Sequence, residues 1–187
     1  MQKQFKMPKP VKIANATSII TKTFVNGIIP VIPPAEEEIE DVLNTLGMDK
    51  EHIVCAYCGD KCTEWEHFHP LVKDKRPTGY ISEIHNLVPS CGPCNQSKGN
   101  KHWKTWMLSQ APHSPKTRNI PDIEDRIAKL EDFENKYTLV KLDFEKIVGK
   151  EIWEQHWLNC QALHDLMQES QEHSDKLRNI ILEFIKK

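Results

Sequence analysis

The sequence predicts an α+β protein with a small, cysteine-rich, β-containing centre between an extended N-terminal arm and a mainly helical C-terminal region. Three observations lead there. Residues 1–34 lack a helical period and end in Ile28-Ile29-Pro30-Val31-Ile32-Pro33-Pro34, where prolines and β-branched residues enforce an extended path. Residues 53–94 are rich in Cys, Gly and Pro and hold two short β-like runs, Trp65–Val72 and Leu87–Pro89. Beyond Pro121 apolar residues recur at three- and four-residue steps, first Ile123, Ile127, Leu130 and Phe133, later Trp153, Trp157, Cys160, Leu163, Met167, Leu177, Ile181 and Phe184.

The elements between these follow from local chemistry. Ile39, Val42, Leu43 and Leu46 have helical spacing, acids fill the turn after Ala35, and Gly47 stands where a helix stops, so a short helix is expected over 35–46. A second is expected over about 95–109, with Trp103 and Trp106 packing against the cysteine-rich segment. Pro112 and Pro115 then read as a linker. A segment around Val140–Val148 precedes one long helix from Lys150 to about Ile185, with the polar stretch Gln168–Asp175 as the place where it would break. At 187 residues the chain can bury one core. The expected organisation is an arm and short helix over 1–52, a core over 53–110 and a helical region over 111–187.

No apolar run approaches the ~20 residues of a membrane span, and the N-terminus lacks the apolar core of a secretory signal, so the expectation is a cytoplasmic protein without a membrane partner. The net charge of −2 hides strong segregation. Residues 1–35 carry five lysines (3, 6, 9, 12 and 22) and no acid, and residues 67–118 carry eight Lys/Arg against Asp74 and Glu83. Acids dominate 36–66 and the stretch from 119 onward. A nucleic-acid surface needs a local basic face rather than a basic protein, though charge alone equally describes a solvated surface.

Cys55-Ala-Tyr-Cys58 and Cys91-Gly-Pro-Cys94 are two C-x2-C pairs. Each can present two thiolates to one ion, and four thiolates in a tetrahedron are the usual structural zinc site. A redox motif would more often come once, at the start of a helix in a βαβ setting. Cys62 and Cys160 read as plain thiols, Cys160 as a small core residue on the last helix.

Between and after the pairs lie Glu66-His67-Phe68-His69-Pro70, then Asn86-Leu87-Val88-Pro89, then Cys94-Asn95-Gln96-Ser97-Lys98. This run resembles the signature of the HNH, or ββα-metal, endonucleases, and the fuller string Phe68-x-Pro70-Leu71-Val72, Thr78-Gly79-Tyr80-Ile81 and Asn86-Leu87-Val88-Pro89-Ser90-Cys91 is most similar to bacterial restriction-type enzymes within that family. The resemblance implies a ββα-metal core with a four-cysteine zinc knuckle. It implies that His67 is the general base, that Glu66 and Asn95 hold a catalytic Mg²⁺ or Mn²⁺, and that Asn86 braces the loop joining the strands. The chain carries Glu66 where the family more often has Asp, and strict alternation along a strand sends Glu66 and His67 to opposite faces. His69 shares the parity of His67, and His102, seven residues past Asn95 on the expected helix, is a substitute ligand.

Imidazole is the side chain suited to deprotonating water near neutral pH, and a hard divalent cation suits charge on a phosphate. Lys73, Lys75 and Arg76 after the first strand, with Lys98, Lys101 and Lys104 on or near the following helix, are expected at the phosphates of double-stranded DNA. The leading expectation is a sequence-specific type II restriction endonuclease acting as a homodimer. The alternatives are a less specific nuclease or nickase of a phage or mobile element, a nuclease acting on RNA, and a non-catalytic zinc-stabilised DNA-binding protein.

Overall fold

A computed structural model describes residues 7–186. Contacts divide the chain into two units, Met1–Phe24 with Phe144–Lys187, and Val25–Asp143. Lys3 and Lys6 of the basic N-terminal run lie outside the described residues.

In the first unit, a 3-10 turn at Ile13–Ala16 leads into helix α1 (Thr17–Asn26). Helices α6 (Phe144–Val148) and α7 (Lys150–Ile185) complete the unit. The N-terminal stretch runs antiparallel to α7. The Ile13 N–H donates to Gln171 Oε1 at 2.7 Å, Thr21 Oγ1 lies 3.3 Å from His164 Nε2, and His156 Nε2 lies 3.0 Å from the Phe24 carbonyl oxygen. The extended arm expected before residue 35 is therefore helical over 13–26. Its Thr, Ile and Val residues are modest helix formers, and α7 supplies the partners that local propensity lacks. Helix α7 is unbroken through Gln168–Asp175, because Gln171 turns inward and is buried.

The second unit begins at Val25, in the last residues of α1, and continues into the proline-rich run, which is extended: Val31 forms a parallel bridge with Ser82, and the Ile32 N–H donates to the Ser82 carbonyl at 2.8 Å. Helix α2 (Glu36–Thr45) follows. Three glutamates fill its first turn, and Glu38 reaches back to the Ala35 N–H at 2.7 Å. The N–H groups of Gly47 and Met48 return to the carbonyls of Asn44 and Leu43, a Schellman close.

Strand β1 (Glu64–His67) pairs antiparallel with β4 (Leu87–Ser90), setting Trp65 opposite Pro89 and His67 opposite Leu87. Between them β2 (Val72–Lys73) and β3 (Arg76–Pro77) form a two-stranded ribbon, its turn made by Asp74 and Lys75 with φ of 50° and 62°. Helix α3 (Gly92–Lys98) leaves β4 directly, with Pro93 in its first turn. Two antiparallel strands and a helix are thus present in ββα order, in reduced form.

The helix expected over 95–109 is two, α3 and α4 (Trp103–Met107), separated at Gly99 with φ of 52°. Trp103, Trp106, Tyr57, Phe68 and Phe133 are fully buried and form the core with the four paired cysteines. The expected linker is a packed turn, in which Ser114 is buried and its hydroxyl donates to the Ser109 carbonyl at 2.8 Å. Helix α5 (Ile123–Lys136) sends Leu130 and Phe133 into that core, Phe133 edge-on to Phe68 at 5.3 Å. The boundaries expected at 52/53 and 110/111 therefore fall inside the larger unit. A knuckle and two short strands bury too little by themselves, and α2 and α5 close them over.

Candidate functional site

The four cysteines of the two pairs converge. Their sulfurs lie within 4.8 Å of one another and all four residues are buried, the one such group of His, Cys, Asp or Glu among the described residues. Cys58 and Cys91 Sγ are 3.7 Å apart. A tetrahedron with metal–sulfur bonds of about 2.3 Å places its sulfurs about 3.8 Å apart, so the set fits zinc.

Gly59 makes the first turn possible. Its φ is +78°, and a Cβ there would stand 2.4 Å from Arg126 Nη2. Arg126 donates to the Cys55 carbonyl at 3.2 Å, while Arg118 reaches Cys94 Sγ at 3.8 Å and pairs with Asp60 at 2.6 Å. The thiols compete: hydrogen bonding with Cys55 pulls Cys58 far below the ordinary thiol value, and the same contact pushes Cys55 up to about 12. A divalent cation removes that conflict by accepting all four sulfurs as thiolates. Cys62 lies outside the group with its Sγ 3.4 Å from the Glu64 carbonyl, and Cys160 is buried on α7.

At the end of β1, His67 is half-buried with Nε2 2.9 Å from Ser82 Oγ. Burial, and then the nearby Lys98 charge, hold its imidazole below the usual histidine value. Asn86 is fully buried and holds the chain just beyond. Its Oδ1 accepts the His69 N–H at 2.8 Å, and its Nδ2 donates to the carbonyls of His69 at 3.1 Å and Ile81 at 3.2 Å. One amide side chain thereby fixes both the exit of β1 and the segment that carries Ser82.

Glu66 points the other way, into the protein, and is 4% exposed. Its Oε1 accepts from Lys98 Nζ at 2.5 Å and its Oε2 from the Tyr57 hydroxyl at 2.6 Å. Lys98, expected at a phosphate, is fully buried in that pair and also donates to the His67 carbonyl at 3.0 Å. Asn95 stands partly exposed on α3, where its Nδ2 donates to Glu64 Oε2 at 2.8 Å. The donor set implied for a hard cation thus fits poorly: its carboxylate is already engaged by an ammonium and a phenol.

His69 stacks on Tyr80 with centroids 4.6 Å apart, and its Nε2 lies 3.7 Å from Glu134 Oε1. His102 precedes α4, not the helix of Asn95, so the seven-residue spacing no longer places the two on one face. The cations divide. Lys73, Lys75 and Arg76 are exposed on the β2–β3 ribbon, and Lys101 is exposed beside the end of α3, donating to the Ser97 carbonyl at 2.8 Å. Lys104 is paired with Glu131.

Sequence reasoning missed Ser82, Tyr57, Arg118 and Arg126. Tyr57 carried a signal, as an aromatic residue between the two cysteines of a C-x2-C pair. Ser82 carried none.

Residues 55–101 match the family model for HNH endonuclease. That stretch contains both knuckles, β1, β4 and α3. No curated protein and no solved structure matches the chain. Among the described residues no helix is long and apolar enough to cross a membrane.

Proposed function

We propose, taking the HNH match over residues 55–101 as the premise, that the chain hydrolyses phosphodiester bonds in double-stranded DNA with His67 as general base. The observation that carries this reading is the setting of His67. Its imidazole is held below the ordinary value, and hence neutral near pH 7, at a strand end that Asn86 fixes. In the tautomer whose Nε2–H donates to Ser82 Oγ, 2.9 Å away, Nδ1 is left to take a proton from water as the water attacks phosphorus.

A divalent cation such as Mg²⁺ or Mn²⁺ near Asn95 would supply charge stabilisation at the phosphate and the departing 3′ oxygen. Zinc at the four cysteines is structural. Cleavage should therefore need added Mg²⁺ or Mn²⁺ while zinc stays bound, since oxygen and sulfur donors select different ions. Incubating the purified protein with plasmid DNA and either ion, then sequencing the ends, tests both the activity and its restriction-type specificity. Ends scattered over the plasmid would favour a nonspecific nuclease, and full activity in a chelator that leaves zinc in place would reject the second cation.

The β2–β3 ribbon and Lys101 are the proposed phosphate contacts. Replacing Lys73, Lys75 and Arg76 together with Ala should weaken binding to all sequences alike and flatten log K against log salt by about 2 to 3. A salt titration with two unrelated duplexes measures it. Two such chains would present two sites to the two strands of a palindrome. Exposed apolar residues near the end of α7, Ile180, Ile181, Phe184 and Ile185, are the proposed face of that homodimer.

A further inference from the structure

We propose that Glu66 is not a ligand of the catalytic cation in this chain, and that Tyr57, Glu66 and Lys98 form a buried clamp that positions His67 and ties it to the zinc knuckle. The second half rests on reading His67 as the general base. Glu66 is 4% exposed and Lys98 fully buried, and both carboxylate oxygens are taken, by Lys98 Nζ at 2.5 Å and the Tyr57 hydroxyl at 2.6 Å. A cation binding here would have to displace an ammonium from its counter-charge and then sit beside it. Strand alternation turns Glu66 inward as it turns His67 to the opposite face.

The clamp has a direction. Tyr57 stands between Cys55 and Cys58, and Lys98 follows Cys94 by one helical turn on α3. Each knuckle therefore carries one of the two groups that hold Glu66. Lys98 Nζ spends a further hydrogen bond on the His67 carbonyl at 3.0 Å, where β1 ends. The metal site, the inner face of β1 and the backbone of the proposed base are joined by three consecutive contacts. Burial raises the Glu66 carboxyl and lowers the Lys98 ammonium, with their mutual attraction opposing both shifts, so neither charge is tolerable without the other.

The test uses zinc-loaded full-length protein and four variants: Glu66→Gln, Tyr57→Phe, Lys98→Met, and the double variant Glu66→Leu with Lys98→Met. Measured on each are Mn²⁺ binding by electron paramagnetic resonance, Tm, zinc content, and kcat and KM on one duplex. Glu66→Gln should bind Mn²⁺ within about two-fold of the parent and melt about 10 °C lower. Lys98→Met should lose about 10- to 100-fold in kcat with KM little changed, and Tyr57→Phe should lose less in the same sense. The double variant should regain Tm, because an apolar pair replaces a buried ion pair, but should not regain kcat, because the His67 carbonyl has still lost its donor.

Mn²⁺ binding weakened about ten-fold or more in Glu66→Gln would make Glu66 a ligand and overturn the proposal. Recovery of kcat together with Tm in the double variant would reduce the clamp to a purely structural role and overturn the positioning. A parent that cuts no DNA sinks the His67 reading and the positioning with it, while the Mn²⁺ measurement still decides the ligand question.

Discussion

His67→Ala should lower the rate of DNA hydrolysis by about 10²- to 10⁴-fold, the usual contribution of a general base, while zinc content, Tm and DNA affinity stay close to the parent. The side chain is only half-buried and its ring hydrogen-bonds with Ser82, so its removal leaves the core of Trp103, Trp106 and Phe68 intact. The pH dependence of kcat/KM carries a second mark. A base works unprotonated, and burial with the Lys98 charge holds His67 below the usual imidazole value. The acid limb of the parental profile should therefore fall at a pH below the ordinary histidine range, and it should disappear in the residual activity of the variant. If His67→Ala keeps more than about a tenth of the parental rate, the assignment of the base fails.

Cys94→Ser, or removal of zinc by a strong chelator, should abolish the cooperative melting of Val25–Asp143. Structural zinc in small domains supplies about 10–16 kcal/mol of apparent binding energy, comparable to or larger than the roughly 5–15 kcal/mol by which whole proteins are stable. The paired cysteines sit inside the hydrophobic core, in one cluster with Tyr57, Trp106 and Leu130. Their separation would expose that core to water. Near-ultraviolet circular dichroism reports it through Trp103 and Trp106, and elemental analysis should find about one zinc per chain in the parent. A Cys94→Ser protein that melts like the parent would remove the metal from the account.

The parts of the fold legible in the sequence were those whose partners are local. Acids and a stop glycine marked α2, the apolar stripe marked α7, and the spacing of the two cysteine pairs marked the four-sulfur cluster. Helix α1 was illegible because what stabilises it, Gln171, His164 and His156, lies more than a hundred residues away. Gly99 was present in the sequence as the break between α3 and α4, yet the tryptophans beyond it read equally well as a continued stripe. At the site, the alternation of Glu66 and His67 was visible, whereas Lys98 was expected at a phosphate and is instead buried against Glu66, one helical turn past Cys94. What no single-residue reading supplies is that the two inward groups, one acidic and one basic, meet each other.

Pro89 sits in β4 opposite Trp65, in the position whose backbone groups face away from β1. It has no N–H to offer, and its carbonyl is already taken by the Ala56 N–H at 2.8 Å. The outer rim of β4 therefore presents neither donor nor free acceptor at Pro89. A third strand, whether from another molecule or from a misfolded copy, finds nothing there to pair with. In a protein whose strands are this short, that closed rim guards the β4 side against edge-to-edge pairing, and it does so without a protective charge.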